Sequence, residues 1–467
     1  MSADAGRRQL RALTGVRYLA AAHVMVFHIV VLWVIVAPQS AAGGKLFQPW
    51  CAEGVAFFDR FWPLRGIALS GFVSVGLFFV LSGFILSYTS MDADNRAAVN
   101  RRQFWANRFA RIYPVYLLGL VFNLPLFLVW LAGLKPPLAS GAAVGVAASA
   151  IGLVQSWWPL ASAAWNPPGW SLSVEAFFYF VFPWLILLVD RLPRRALLPS
   201  LAVAWGATLV APLCYLALGG KVDWESESET WLRFVEFNPI LRLPEFFAGM
   251  VLGKLFVNRQ ERRGDAPGGG AALSIVATIG LAGVLAYSEQ FNRLLLYNGL
   301  LLPLFLLLIY GLALEGGPIA WILSGRLFVL LGDASYALYI LHHGVIFYGV
   351  VWVWLAIGGS AELERQLGKQ PATGNAASPT VVEDGDEPGS AGQSGSVTDF
   401  SKPGGETIEP NEHPPTPLGF LVGLVALTTV ASIAVFKFFE VPCRKFLRRT
   451  LGGRRSAREP EQMAQLP

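Results

Sequence analysis

The chain has 467 residues, of which 54% are hydrophobic and only 14% are charged, and its formal net charge is +5. Because soluble domains carry about 25% charged residues, this composition excludes an ordinary soluble enzyme and indicates that lipid surrounds most of the chain. The cysteines Cys51, Cys214 and Cys443 lie far apart, which excludes both a disulfide framework and a CxxC metal site.

Long apolar stretches follow one another along nearly the whole chain. A helix needs about 20 apolar residues to cross the hydrocarbon core of a membrane. Ten stretches have approximately that length: residues 13–36, 67–88, 112–131, 170–189, 196–218, 239–257, 271–287, 294–314, 327–355 and 418–438. An eleventh stretch, residues 141–155, is short and rich in alanine and glycine. We therefore predict an all-α, polytopic transmembrane helix bundle with about ten spans.

The distribution of charge predicts how the bundle is oriented. Basic residues are concentrated in segments 96–111, 191–195, 254–263 and 444–458, whereas acidic residues are concentrated in 223–229 and 358–417. Basic loops stay in the cytoplasm, and ten spans place all four basic segments there and both acidic segments outside. A crossing by residues 141–155 would put the later clusters on the wrong side. We predict a re-entrant or surface helix at 141–155 and cytoplasmic termini.

One membrane domain accounts for most of the chain. Residues 1–357 contain the first nine spans, residues 418–450 contain the last span and its cytoplasmic end, and residues 451–467 form a basic cytoplasmic tail. The intervening segment 358–417 is rich in glycine, proline, serine and glutamate and has few aromatic residues. Such a composition buries too little apolar surface to order itself, so we predict a disordered extracytoplasmic loop.

The first span contains three ionisable residues, Arg17, His23 and His28. Ionisable groups inside a span are costly and are functional candidates by default. Arg17 and His28 lie close to three helical turns apart, on one face, with about 16 Å between them along the axis. His23 lies on another face. In the alternative interpretation, Arg17 extends to the lipid headgroups and His28 bonds a neighbouring carbonyl.

Four arginines, Arg101, Arg102, Arg108 and Arg111, precede or enter the third span. Guanidinium groups bind phosphate oxygens in a bidentate manner, so this segment could bind the nucleotide portion of coenzyme A. Cytoplasmic loops commonly carry such charge, and basic residues alone do not decide between the two interpretations.

Glu175 lies inside a strongly apolar segment, five residues after Trp170. A buried carboxylate is either paired or protonated. Glu175 could position or deprotonate a hydroxyl group that enters from outside, or it could bond an arginine of another helix, such as Arg242, which lies close to Glu245 in sequence.

Ser335, Tyr339 and His342 share one face of the ninth span, at i, i+4 and i+7. They are candidates for substrate binding, although polar residues also form hydrogen bonds between helices in membrane bundles. The adjacent His342 and His343 point to different faces, and we predict no metal site. At the end of the last span, Glu440 could pair with a cytoplasmic arginine.

Seven motifs in order resemble acyltransferase family 3, a family of bacterial membrane proteins. They are an arginine and a histidine separated by ten residues at 17–28, LFFVLSGF at 77–84, RFARIYP at 108–114, WSLSVE at 170–175, RLPEFFAG at 242–249, SYALYILH at 335–342 and FEVP at 439–442. The resemblance covers nearly the whole chain outside the loop near 358–417. Many relatives have an acidic residue before the FF pair, where this chain has Gly76.

The resemblance implies a bacterial inner-membrane enzyme that O-acylates sugars with acetyl-CoA or a related thioester. It implies a catalytic role for Arg17 and His28, to which we add Glu175. We expect acyl-CoA to act as a substrate, with no permanently bound cofactor. Its phosphates are expected to bind Arg108 and Arg111, with help from Arg101 or Arg102. A second set is expected to line the acceptor half of the site: Trp170, Ser335, Tyr339, His342, Arg242 and Glu245.

Several alternatives remain open at the level of sequence. His28 could act as a general base or as a transient acyl carrier. A transporter or exporter of a glycolipid or small solute also fits ten spans, although the paired repeats common in transporters are absent from this sequence. A scaffold subunit of a polysaccharide assembly needs no buried histidine. We expect membrane lipid and a saccharide as partners, and no nucleic acid; the acceptor, the acyl chain length and the oligomeric state are open.

Overall fold

A computed structural model describes residues 9–31, 44–91, 96–132, 138–222, 230–263, 269–354 and 416–451. Within these ranges the regular structure is helical, apart from a single bridge between Met91 and Ala97. The predicted all-α class is confirmed. Most of the predicted acidic loop and basic tail lie outside the described residues.

The first half of the chain forms helices α1 (Arg11–Val31), α2 (Gly44–Arg60), α3 (Trp62–Leu69), α4 (Ser74–Thr89), α5 (Arg101–Phe122), α6 (Leu124–Ala132), α7 (Leu138–Ile151), α8 (Gly169–Arg191) and α9 (Arg194–Ala217). Short 3-10 turns at Gly71–Val73 and Gln155–Trp157 precede α4 and α8, respectively.

The second half forms helices α10 (Thr230–Phe237), α11 (Pro239–Arg263), α12 (Gly270–Ala286), α13 (Arg293–Tyr297), α14 (Leu302–Ala313), α15 (Pro318–Leu323), α16 (Arg326–Trp354), α17 (Pro417–Val435) and α18 (Val441–Leu451). A 3-10 turn at Ser288–Gln290 precedes α13. A π-helical segment, Phe436–Glu440, joins α17 to α18.

Seven helical segments in the described ranges are long and apolar enough to cross a membrane, or eight if α5 and α6, which are bent by 51° at their junction, form one span. Two predicted spans fall short by this measure. Helix α11 has 25 residues but contains Arg242, Glu245 and Lys254, and α12 has only 17 residues. The chain is a multi-pass membrane protein, and the total of ten spans and the cytoplasmic termini remain predictions.

The ambiguous stretch at 141–155 forms the end of α7 and the turn that follows it. Helix α7 has 14 residues, which gives a length of about 21 Å. That is shorter than a hydrocarbon core of about 30 Å. The length agrees with the prediction that this stretch does not cross the membrane, and its depth is untested.

Close glycine contacts hold the centre of the bundle together. A Cβ atom at Gly83 of α4 would lie 2.0 Å from the carbonyl oxygen of Phe246, and one at Gly249 of α11 would lie 2.0 Å from that of Val80. Small residues let membrane helices approach closely enough for van der Waals packing, which drives their association in lipid. Helices α4 and α11 therefore form a tight central pair, against which the site is built.

Helix α5, which carries the arginine motif, has a defined start. The side-chain oxygen of Asn100 accepts a hydrogen bond from the backbone N–H of Gln103 at 3.1 Å. This N-cap satisfies one of the four N–H groups that a helix start leaves without a partner. The cap marks the start of α5, about two turns before Arg108.

Candidate functional site

Three adjoining cavities lie in the bundle, and α1 lines each of them. The first, which we call the arginine cavity, has a volume of about 70 Å³. Its polar lining consists of Arg17, Ser82, Arg108, Arg111, Glu175, Tyr179 and Tyr336. Helices α1, α4, α5, α8 and α16 supply these side chains, so the folded bundle brings together residues that lie far apart in sequence.

The middle cavity, with a volume of about 60 Å³, continues from the arginine cavity. The two cavities share Arg17, Phe78, Glu175 and Tyr336. Additional polar groups in the middle cavity come from Ser171, Ser335 and Tyr339.

The histidine cavity is the largest of the three, with a volume of about 200 Å³. It shares Val75 and Tyr339 with the middle cavity. His28 lines it together with aromatic and charged side chains, including Phe72, Trp170, Arg233, Glu236, Arg293 and Tyr297. Arg17 and His28 therefore open into opposite ends of one series of cavities, on the shared face that helical spacing predicts.

Glu175 lies in the arginine and middle cavities rather than at the acceptor end that its position in the span had suggested. Its carboxylate accepts a hydrogen bond from the Tyr179 hydroxyl at 3.1 Å and interacts electrostatically with Arg17, Arg111 and Arg108. The position of a residue along a span indicates its depth in the membrane but not which helices surround it. Arg108 and Arg111 of α5 are among the neighbours of Glu175.

His28 and His342 form a buried pair of imidazoles. His28 Nδ1 lies 2.8 Å from the carbonyl oxygen of Val24, and His342 Nδ1 lies 2.7 Å from that of Tyr339. Because a carbonyl can only accept, both rings carry their proton on Nδ1. His342 Nε2 lies 3.3 Å from His28 Nδ1 and can accept only a weaker share of the N–H that is directed at Val24. The Nε2 atom of His28 consequently keeps a lone pair.

The neighbours of this pair are also polar. The ring centroids of His342 and His343 lie 5.0 Å and 6.3 Å from that of His28. Both adjacent histidines thus border His28, although sequence had placed them on different faces. Among the described residues, no cluster of three or more histidine, cysteine, aspartate or glutamate side chains could hold a metal ion.

The remaining polar residues of α16 lie where the cavities meet. The Tyr339 hydroxyl lies 2.8 Å from Ser171 Oγ, which itself donates to the carbonyl of Pro168 at 2.9 Å. Ser335 Oγ donates to the carbonyl of Gly332 within its own helix at 2.7 Å. Tyr339 and Ser335 therefore line the passage, while His342 lies behind His28.

Trp170 forms part of an aromatic wall in the histidine cavity. Its ring centroid lies 4.6 Å from that of Phe237 and 6.0 Å from that of Tyr297, which stacks on Phe72 at 5.4 Å. At the same cavity, Arg293 forms an ion pair with Glu236 at 3.1 Å. Sequence analysis did not single out Arg233, Glu236 or Arg293, because charged residues near span ends are common.

Two of the four predicted phosphate-binding arginines lie away from the cavity. Arg101 and Arg102 are exposed, and the guanidinium of Arg101 stacks over the Trp184 ring at 5.0 Å. Arg108 and Arg111, about two and three turns further along α5, line the arginine cavity.

Arg242 and Glu245 form a closed pair instead of lining the acceptor half of the site. They lie 3.0 Å apart, and their side chains are only 1% and 2% exposed. Arg242 also donates to Asn298 Oδ1 at 3.0 Å. A Cβ atom at Gly76 would lie 3.0 Å from Glu245 Oε1. Glu245 therefore supplies a carboxylate next to the position where many relatives have their acidic residue.

The C-terminal helix contributes charged groups that sequence analysis had treated as an ordinary cytoplasmic end. Glu440 pairs with Arg444 at 4.0 Å, which confirms the predicted pairing with an arginine at the end of the last span. Arg444 and Arg448 interact electrostatically with Arg111. No local signal separates them from the neighbouring basic residues, because their position depends on how α18 packs against α5.

The arrangement has a clear chemical meaning. The arginine cavity can hold an anion, the middle cavity offers hydroxyl groups, and the histidine cavity presents the lone pair of a neutral imidazole. A neutral imidazole can take a proton from a hydroxyl group or form a bond to an electrophilic carbon. The three cavities together suit the transfer of a group between two substrates that enter from different ends.

Comparisons with known proteins agree with this chemistry. The sequence model of acyltransferase family 3, described as an acyltransferase domain, matches residues 10–436. The acyltransferase MdmB of Streptomyces mycarofaciens is 29% identical over 350 residues, which cover 73% of this chain and 80% of that protein. The exopolysaccharide production protein ExoZ of Rhizobium meliloti is 30% identical, with coverage of 58% and 75%, respectively.

A third relative is more distant. The putative peptidoglycan O-acetyltransferase YrhL of Bacillus subtilis is 27% identical over 161 residues, which cover 31% of this chain and 25% of that protein. No solved structure matches. Because the family model spans nearly the whole chain, including every motif identified in the sequence up to α17, this protein belongs to the acyltransferase family 3 and is an acyl-transferring enzyme.

Proposed function

We propose that this enzyme transfers an acyl group, most simply acetyl, from acyl-CoA at the cytoplasmic face of a bacterial inner membrane to a hydroxyl group of a saccharide or glycosylated acceptor. The observation that carries the proposal is the series of three cavities from Arg17, Arg108 and Arg111 to His28. Acyl-CoA acts as a substrate, and the proposal needs no permanently bound cofactor.

The arginine cavity suits the acyl donor. Coenzyme A carries a diphosphate and a 3′-phosphate at its nucleotide end, and arginine forks bind phosphate oxygens in bidentate geometry. Arg108 Nε is buried and has no hydrogen-bond partner among the residues that the structure describes. A buried donor without a partner is unfavourable, and a phosphate oxygen would satisfy it.

His28 would perform the chemical step. In direct transfer, Nε2 takes the proton of the acceptor hydroxyl, the oxygen forms a bond to the thioester carbonyl carbon, and the C–S bond breaks. The leaving CoA thiolate then takes up a proton. In the two-step alternative, Nε2 forms the bond to the carbonyl carbon first, the C–S bond breaks and CoA leaves as the thiolate. The acceptor hydroxyl oxygen then forms a bond to the acyl carbon, the C–N bond to Nε2 breaks, and the hydroxyl proton is taken up by the thiolate or by the freed imidazole. In both cases the carbonyl of Val24 accepts from Nδ1 and holds the ring in the required tautomer, and His342 packs against the ring.

The histidine cavity suits a saccharide. Aromatic faces pack against the apolar faces of sugar rings, and the nearby Arg293–Glu236 pair offers groups that bond hydroxyls. Two relatives support an acceptor of this class, since one is named for exopolysaccharide production and the other for peptidoglycan O-acetylation. Membership of an acyltransferase family also favours this function over a transporter or a scaffold subunit.

The decisive experiment uses purified protein with acetyl-CoA labelled in the acetyl group. Wild-type protein should release CoA and pass label to envelope glycans from the native host. His28→Ala should lower the rate by roughly 10²- to 10⁴-fold, the usual contribution of a general base. Label retained on wild-type protein would select the acyl-histidine alternative.

A matched control lies on the same helix. His23 bonds Ser74 Oγ and the carbonyl of Ile67, away from the cavities. The rate in His23→Gln should therefore stay close to that of wild type. Full activity in His28→Ala would remove His28 from the mechanism.

A further inference from the structure

The C-terminal helix brings a second pair of arginines to the cytoplasmic end of the site. Arg444 and Arg448 lie one turn apart on α18, whereas Lys445 and Arg449 on the same helix are exposed. Arg444 is only 9% exposed although it carries a charge. Burial of a long cationic side chain at a helix–helix interface is unfavourable unless anionic groups surround it.

Packing places this pair next to the arginine cavity. Helix α18 packs against α5, and residues Cys443 and Leu447 of α18 line one groove with Phe109 and Tyr113 of α5. Phe109 lies between Arg108 and Arg111, and Tyr113 lies two residues after Arg111. The arginines of the two helices lie near one another, since Arg444 and Arg448 both interact electrostatically with Arg111.

A π-helical segment directly precedes α18, the helix that carries these two arginines. The π-helical segment Phe436–Glu440 ends at Glu440, whose carboxylate is 3% exposed and pairs with Arg444 at 4.0 Å. A π-bulge shifts the register of the residues that follow it and is frequent at functional sites. After this segment, Arg444 and Arg448 interact electrostatically with Arg111 of α5, whereas Arg449 is exposed.

Among the described residues, the carboxylates that interact with Arg444 include Glu440 and Asp333, and arginines outnumber them. The excess of positive charge indicates an anionic ligand with several charged groups. The guanidinium of Arg448 interacts electrostatically with Arg108, Arg111 and Arg444. Such repulsion is relieved when phosphate oxygens lie between the groups. A single phosphate spans two guanidinium groups, whereas four arginines on two helices match a diphosphate with an additional phosphate.

We propose that Arg444 and Arg448 bind phosphates of the acyl-CoA nucleotide together with Arg108 and Arg111, so that the C-terminal helix completes the acyl-donor site. This inference rests on the proposed function, because it assumes that acyl-CoA is the acyl donor. The helix would thereby couple the last span to substrate binding.

The test compares two acyl donors that differ in the nucleotide. Acetyl-CoA carries all the phosphates, and S-acetylpantetheine carries none. In wild type and in Arg448→Gln, kcat/KM is measured for both, and the ratio of the two values is taken. We expect Arg448→Gln to lower this ratio at least roughly tenfold, through a higher KM for acetyl-CoA. Arg449→Gln, one residue further along, is the control and should leave the ratio unchanged.

The outcomes separate the two proposals. An unchanged ratio in Arg448→Gln would overturn the inference while leaving acyl transfer in place. An equal loss with both acyl donors would also overturn it, and would indicate a structural role or an anionic lipid headgroup at the site. No transfer by wild type from either acyl donor would instead contradict the proposed function. If Arg448→Gln does not fold, Arg448→Lys, which keeps the charge but loses bidentate binding, should lower the ratio by a smaller factor.

Discussion

Two arginine–glutamate pairs in the bundle show how similar residues serve different purposes. Arg242 and Glu245 lie 3.0 Å apart and are almost fully buried, and Arg242 also donates to Asn298. Arg17 and Glu175 line a cavity and interact electrostatically, but within the described ranges they form no direct ion pair. The closed pair stabilises the bundle, and the open pair is available to a ligand.

The comparison refines a general rule. Ionisable residues inside membrane spans are functional candidates by default, and both pairs met that criterion in the sequence. Arg242 and Glu245 form an ion pair with each other and therefore serve the structure of the bundle. Arg17 and Glu175 are separated by a cavity, so both side chains can contact a ligand. The distinction depends on which residues each pair contacts in the folded protein, and each pair can be tested by substitution.

The largest expected effect is on stability, at the closed pair. Arg242→Gln leaves Glu245 buried without its partner, and breaking a buried ion pair in this way costs about 3–5 kcal/mol. The melting temperature of the purified protein in detergent should fall markedly, while the folded fraction keeps its kcat. A variant with wild-type stability would contradict the assignment of this pair to structure.

The open pair should show the reverse pattern. Arg17→Gln removes a charge that lines both the arginine and the middle cavities. Loss of a charged hydrogen bond to a ligand costs about 1.5–3 kcal/mol, so kcat/KM for acetyl-CoA should fall roughly 10- to 100-fold with little change in melting temperature. Arg11→Gln, an exposed arginine at the start of α1, is the control and should behave as wild type.

A smaller effect is expected at the imidazole pair. His342→Phe removes the second acceptor near His28 Nδ1 and leaves the carbonyl of Val24 in place. It should lower kcat by no more than roughly tenfold, the equivalent of one hydrogen bond of about 1.4 kcal/mol. His342→Gln retains an acceptor oxygen and should recover part of that loss. Equal activity in the two variants would show that His342 only fills space.

The smallest effect is expected at the start of α5. Arg101→Gln and Arg102→Gln alter exposed side chains outside the arginine cavity. Their KM for acetyl-CoA should stay within about twofold of the wild-type value, since surface charges contribute little. A tenfold increase would extend the acyl-donor site to the loop before α5.

Much of this organisation could be predicted from sequence, for identifiable reasons. Apolar stretches of span length predicted the helices, and helical spacing predicted that Arg17 and His28 share a face. The spacing argument holds because α1 is a continuous helix. Prediction of spans was least accurate for α11, where Arg242, Glu245 and Lys254 interrupt the apolar pattern and pair with groups inside the bundle.

Contacts between distant segments could not be predicted from the sequence. His28 and His342 are separated by 314 positions, and nothing local indicates that their rings meet. Arg444 resembled an ordinary basic residue after a final span until α18 was placed against α5. Glu175 was assigned to the acceptor end because its depth was predictable while its neighbours were not.

The central claim is that acyl donor and acceptor use opposite ends of the connected cavities. Inverted membrane vesicles from the native host, with their cytoplasmic face outward, can be given labelled acetyl-CoA together with an esterase that cannot cross the membrane. We predict that label accumulates on luminal glycans, resists the esterase until detergent is added, and does not appear in right-side-out vesicles. Label that the esterase removes at once from intact inverted vesicles would contradict transfer through the bundle.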